Sequence, residues 1–224
     1  MKKLLSAAAV LGLITLYGCE NAVDAPGIDA WRNPEAGSIL IFRNSMGQNI
    51  DGDTSHSVSS VSIEILETGR ELWGKSNVSI AIGPEGDTIA FLVDQNGDFQ
   101  MAERGPDSWE VFPTGSKGTV TVRDLDTTIN GDEREIWKTT RAYAGDDYIS
   151  FDDKEFHAIK IVQNESHRET SPFWNYLSTS TDTLHFSPDL GFLIRQRSLA
   201  QTFADDTLWS THSRSMDLNG YILK

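Results

Sequence analysis

Apolar residues recur at every second position along most of this chain, and that period constrains the fold more than any other feature. Val61, Ile63 and Ile65 alternate with Ser62 and Glu64, and the pattern returns in Val78, Ile80 and Ile82, in Ile89, Phe91 and Val93, and in Val120 and Val122. Successive side chains of a strand point to opposite faces, so this alternation describes strands with one face on a core and the other in water. Helical spacing is scarce. Over 198–205 two turns of helix compete, with Leu199 and Phe203 four apart, but Thr202 and Phe203 favour a strand and Asp205-Asp206 resembles a hairpin corner.

The turns agree with the period. Asn96-Gly97 separates an alternating stretch, 88–93, from Phe99 and Met101, a strong hairpin signal, and Asn130-Gly131 and Asn219-Gly220 mark two further turns of that kind. The short apolar run Ile39-Leu40-Ile41-Phe42 opens the series. Later strands are expected over 134–143, 148–151, 155–162, 173–178, 183–186, 191–203 and 207–216. About a dozen strands joined by tight turns predict an all-β, mainly antiparallel domain over 38–224: a single curved sheet, a half-open barrel or a sandwich. Composition does not change after residue 38, so one domain is the working expectation, with a split near 115–118 as the alternative.

Ahead of this domain, Lys2 and Lys3 precede an apolar stretch over 4–16 interrupted only by Ser6, Gly12 and Thr15. Spanning a bilayer takes about 20 residues, so residues 1–18 read as a secretory signal. Leu16-Tyr17-Gly18-Cys19 looks like the lipobox of bacterial lipoproteins, with the only cysteine of the chain at the cleavage point. An unpaired cysteine in an exported protein needs a reason, and acylation of Cys19 supplies it. At about 0.8 kcal/mol per buried methylene, several acyl chains anchor a protein firmly where one holds it marginally. Residues 19–37 are polar, contain Pro26 and Pro34 and lack periodicity, as a lipidated flexible tether would. The expected partner is therefore a membrane, reached through the N-terminal acyl chains.

Removing the signal leaves 206 residues, in which 33 acidic side chains face 17 basic ones. Such a balance argues against nucleic acid and against electrostatic adhesion to anionic lipid. Asp94-Gln95-Asn96-Gly97-Asp98, with Glu103 beyond, superficially resembles a calcium loop, but the glycine that loop requires falls at Phe99 and the acid comes too early. Asp124, Asp126, Asp132 and Glu133 read as a solvated hairpin tip. None of His56, His157, His167, His185 and His212 pairs with another at zinc-ligand spacing. No Gly-x-Ser-x-Gly elbow is present, and Gly115-Ser116-Lys117-Gly118 lacks the context of a phosphate loop. No catalytic, metal or cofactor residue is assigned, and the expectation is a non-enzyme.

Trp31, Trp73, Trp109, Trp137, Trp174 and Trp209, with Phe173, Tyr176 and Phe186, either fill the core or line a groove in a curved sheet. Two segments, 148–161 (YISFDDKEFHAIKI) and 183–195 (TLHFSPDLGFLIR), resemble paired strands of bacterial lipoproteins of the TapB type and related domains of unknown function. The matching residues are Phe156, Lys160, Ile161, Phe186, Pro188, Leu190 and Gly191, all of structural character: Pro188 fixes a turn and Gly191 permits tight backbone geometry. The resemblance implies a curved sheet or half-open barrel, similar in outline to the acyl-chain carriers LolA and LolB. Glu20 after Cys19 is compatible, by analogy with enterobacterial lipoproteins, with sorting to the outer membrane. The expected role is a non-enzymatic binding or envelope-assembly module of the cell envelope. A carrier of a lipid or other apolar ligand is the alternative, and an envelope hydrolase ranks last.

Overall fold

The computed structural model describes residues 31–224 apart from 104 and 130. Twelve strands follow one another: β1 (Ile39–Ile50), β2 (Asp53–Leu72), β3 (Lys75–Ile82), β4 (Thr88–Val93), β5 (Phe99–Ala102), β6 (Glu110–Phe112), β7 (Thr119–Thr128), β8 (Arg134–Phe151), β9 (Lys154–Thr170), β10 (Asn175–Ser187), β11 (Phe192–Ala204) and β12 (Thr207–Ile222). Among the described residues the helical structure is one 3₁₀ turn, Pro106–Ser108. All twelve strands belong to one sheet, in the order β6-β5-β4-β3-β2-β1-β12-β11-β10-β9-β8-β7. The ladders are antiparallel throughout, and the first strand pairs with the last. The two edges, β6 and β7, are themselves consecutive in the chain. The all-β, antiparallel expectation therefore resolves into an up-and-down meander rolled into a nearly closed barrel, with one seam between β6 and β7.

Hairpin chemistry explains how so many strands stay in register. Four connections are two-residue loops with both residues at positive φ: Asp51-Gly52 (50° and 92°), Trp73-Gly74 (49° and 75°), Asp152-Asp153 (49° and 59°) and Asp205-Asp206 (47° and 64°). That is the type I′ geometry whose twist matches the strands it joins. Asp205-Asp206 is thus the corner expected, and 198–205 is strand, as preferred over helix. Asn96-Gly97 also turns the chain, with Asp94 Oδ1 accepting from the backbone N–H of Asn96 (2.8 Å) and of Asp98 (3.1 Å). Asn130 lies outside the described residues. Asn219-Gly220 is not a turn: β12 runs through it, with Gly220 opposite Ile41 and Ile222 opposite Ile39. A full-length partner strand overrides the local preference, which survives only as a bulge beside Ile41 and Phe42.

The structure also fuses strands that the sequence separates. The segments expected over 134–143 and 148–151 are one strand, β8, kinked at a bulge between Tyr143 and Asp146 where Gly145 takes φ 107°. Those over 173–178 and 183–186 are both parts of β10. β2 is longer than its alternating stretch, because Ser- and Thr-rich residues 53–60 pair with β1 although they bury nothing.

The core lies at the β3–β6 end of the strands. Phe99 is its centre, with ring centroids 4.8 Å from Phe186, 5.9 Å from Phe91, 6.0 Å from Phe192 and 6.1 Å from Phe112. These contacts fold the short strands β4–β6 across the inner face of β10 and β11, and Phe42, Ile65, Ile159 and Ile161 complete the cluster. β7 alternates as the others do, yet Val122 is exposed, at the bulge between Thr121 and Arg123 where the ladder to β8 shifts register. The C-terminal part of the expected tether belongs to this fold. Trp31 packs 6.0 Å from Phe99, Arg32 N–H donates to Pro188 C=O (2.8 Å), and Gly37 N–H donates to Ile65 C=O (2.7 Å). Gly191 makes room for this segment, since at φ 67° any Cβ would run into the Arg32 carbonyl. Residues 1–30, including Cys19, lie outside the described residues.

Phe99→Ala is expected to destabilise the domain by about 4 kcal/mol, the usual cost of emptying a buried phenylalanine site. Denaturant unfolding checks this, and a loss under 1 kcal/mol would remove Phe99 from the centre of the core.

Candidate functional site

Where the strands rise past the aromatic cluster, the inner face becomes polar and encloses an open hollow of about 660 Å³. Its floor is Arg141 on β8, 3 % exposed. A buried guanidinium is tolerated only when its donors are matched, and these are. Nε donates to Gln163 Oε1 (2.6 Å), Nη2 to Glu110 Oε2 (2.6 Å) and Nη1 to Val111 C=O (3.2 Å), while the guanidinium plane sits 4.1 Å over the Phe112 ring. Gln163 passes the chain on, its Nε2 donating to Asp182 Oδ2 (3.2 Å). One network therefore spans β6, β8, β9 and β10.

Strand register builds the walls. Trp137 and Thr139 share Arg141's face of β8, opposite His167 and Glu165 of β9. Thr139 Oγ1 donates to Glu165 Oε2 (3.3 Å). Trp137 is clamped between the guanidinium of Arg123, 3.8 Å from its ring centroid, and the ring of His167, stacked at 4.5 Å. Arg214 lines the far wall and donates to Asn44 Oδ1 (3.1 Å). The hollow is thus lined by both signs of charge, by amide and hydroxyl groups, and by the tryptophans Trp109 and Trp137. The indole N–H groups of these two tryptophans are buried without a hydrogen-bond partner among the described residues.

The aromatic residues singled out from the sequence are not brought together. Phe186 is core, Trp31 seals its edge, and Trp73 and Trp109 pair edge-on at 6.3 Å around a small cluster of Val78, Ala90 and Leu92. Tyr176 stands edge-on to His167 at 6.1 Å. Phe173, 91 % exposed, Trp174 and Trp209 project from hairpin tips tied to each other by Asp205 N–H, which donates to Asn175 C=O at 2.8 Å. The suspected calcium loop spends its carboxylates internally. Asp94 holds its own turn, and Asp98 Oδ1 accepts from the N–H of Gly115 (2.9 Å) and of Ser116 (2.8 Å). The same bonds occupy the first two backbone donors, Gly115 and Ser116, of the segment 115–118, which lacks the context of a phosphate loop. Arg141, Gln163 and Asp182 carry no sequence signal at all, since they lie in three different strands and only pairing assembles them.

On the outer face, His185 is buried against Asp147, its Nε2 3.2 Å from Oδ2, with Lys160 and Arg195 as its partners in the two adjacent ladders. Burial pushes the imidazole below its ordinary value, the Asp147 carboxylate opposes this, and Arg195 adds to the lowering. Asp147 is itself held low, chiefly by the backbone N–H of Tyr148.

No protein-family model matches this chain, and no curated protein or solved structure matches it either.

Because His185 stays neutral in the fold below the pH at which a free imidazole charges, the unfolded chain binds the extra proton. Stability is therefore expected to fall as pH drops below about 6.5. Asp147 adds a loss only below the ordinary carboxylate range. His185→Gln should flatten the decline in melting temperature between pH 7 and pH 5, and an unchanged slope would remove His185 as its source. Arg141→Met, which strands Gln163 and Glu110, should cost about 3 kcal/mol in denaturant unfolding.

Proposed function

We propose that this chain is a non-enzymatic cell-envelope lipoprotein, acylated at Cys19 and sorted to the outer membrane, whose barrel binds a polar ligand in the hollow beside the aromatic core. The observation that carries this reading is the network of Arg141, Gln163 and Asp182, fixed by hydrogen bonds in the wall of the open hollow. Specific binding sites combine aromatic surface with a few fixed polar groups. Here the fixed groups dominate, and the phenylalanines that would otherwise receive an acyl chain are packed against one another. A ligand rich in hydroxyl, amide or carboxylate oxygen suits such a lining. The carrier of an apolar ligand becomes the less favoured alternative. The sequence resemblance to TapB-type lipoproteins accords with this proposal through its structural residues only, since Phe186, Pro188 and Gly191 build the core and the turn that docks Arg32.

A second reading, an envelope-assembly module, is favoured by the exposed Phe173, Trp174 and Trp209 at the hairpin tips. In-cell photocrosslinking from position 173 tests it through discrete protein adducts.

Two measurements test the main reading. Radiolabelled palmitate should enter the wild-type chain and not Cys19→Ser. Native mass spectrometry of the protein purified from its own envelope should show a polar adduct that Trp137→Ala and Asp182→Asn both lose. An adduct of lipid mass, or a clean apo mass, counts against polar-ligand binding.

A further inference from the structure

Glu135 on β8 and Glu169 on β9 stand directly opposite each other in the ladder, and His167, two residues before Glu169, shares their face. Two carboxylates opposed on one face of a sheet repel. Among the described residues, both run their ion pairs to a single atom, Nε2 of His167, at 3.1 Å from Glu135 Oε1 and 3.3 Å from Glu169 Oε1. One ring nitrogen carries at most one proton, so it donates well to one carboxylate and leaves the other uncompensated. Both distances also exceed the roughly 2.7–2.9 Å of a charged N–H to carboxylate bond.

A cation serves all three groups at once. The three donor atoms lie within 4.8 Å of one another and are half-buried. Donors about 2.1 Å from a tetrahedral zinc ion stand about 3.4 Å apart, close to the two separations seen here. We infer that Glu135, His167 and Glu169 form a divalent transition-metal site of the zinc type, beside the hollow that Trp137 lines. The imidazole selects against calcium and magnesium, which prefer all-oxygen shells. Two carboxylates offset the charge of the ion. A ligating imidazole works best with its ring fixed, and the stack on Trp137, with Tyr176 edge-on, fixes this one. Three protein donors leave the fourth tetrahedral position for water. The sequence showed none of this, because the histidines are unpaired and Glu135 lies 32 residues from His167.

The test is a zinc titration of the purified full chain against a chromogenic chelator, which needs no organic ligand and so stands or falls apart from the polar-ligand reading. One equivalent per chain is expected, bound more weakly at pH 5.5 than at pH 7.5 because metal binding releases protons. His167→Gln and Glu135→Gln should each weaken binding at least 10-fold, while Glu103→Gln leaves it unchanged. Cobalt(II) added to the wild-type protein should give the intense visible bands of a tetrahedral site, a readout that does not depend on any variant folding. Absence of a bound equivalent, a six-coordinate cobalt spectrum, or full affinity in His167→Gln would overturn the site.

Discussion

The barrel depends on Arg141. Eleven of its strand pairings are made by backbone ladders, but β6 and β7 do not pair, and the gap between them is spanned from inside by one guanidinium. Arg141 reaches from β8 to the backbone of Val111 and the side chain of Glu110 on β6, and its Cζ sits 4.1 Å from the ring centroid of Phe112, the residue that ends that strand. Tyr143 N–H, donating to Gly118 C=O at 3.1 Å, extends the β7–β8 ladder past the start of β7. Taking a guanidinium out of water is expensive unless its donors are met. The groups that meet them belong to different strands, so burying Arg141 and closing the sheet are the same event.

Closure sorts the interior into two media. On one side of Arg141, Phe99 and its neighbours exclude water, and on the other, Gln163, Asp182, Glu165 and Arg214 face an open hollow. The guanidinium serves both: it sits over the Phe112 ring, and its N–H groups organise the polar wall. That wall is preorganised, since Gln163 is fixed by one bond at each end and Trp137 is held on both faces. A ligand entering the hollow meets groups already oriented, which lowers the entropy lost on binding.

Much of the fold was legible in the sequence, and little of the site. Alternation at Val61, Ile63 and Ile65 and at Ile89, Phe91 and Val93 gave real strands, because a period of two is a local consequence of backbone geometry. Asn96-Gly97 and Asp205-Asp206 turned as expected for the same local reason. Asn219-Gly220 did not, because β1 supplies a continuous partner on which the ladder is worth more than the turn. The acidic stretches around Asp94 and Asp98 were open to two readings, and the answer lay in backbone N–H groups up to 18 residues away.

Some properties belong to the sequence alone: an antiparallel β domain, a single cysteine behind an apolar stretch, and a strongly acidic chain. Each is set by residue type and near-neighbour spacing, which a chain carries before it folds. The tertiary structure decided that the sheet rolls into a barrel, that its first and last strands meet, and that Glu110, Arg141, Gln163 and Asp182 share one network. Those relations depend on which residues stand opposite each other across strands tens of residues apart. Register and closure set that pairing, and neither leaves a mark in local composition.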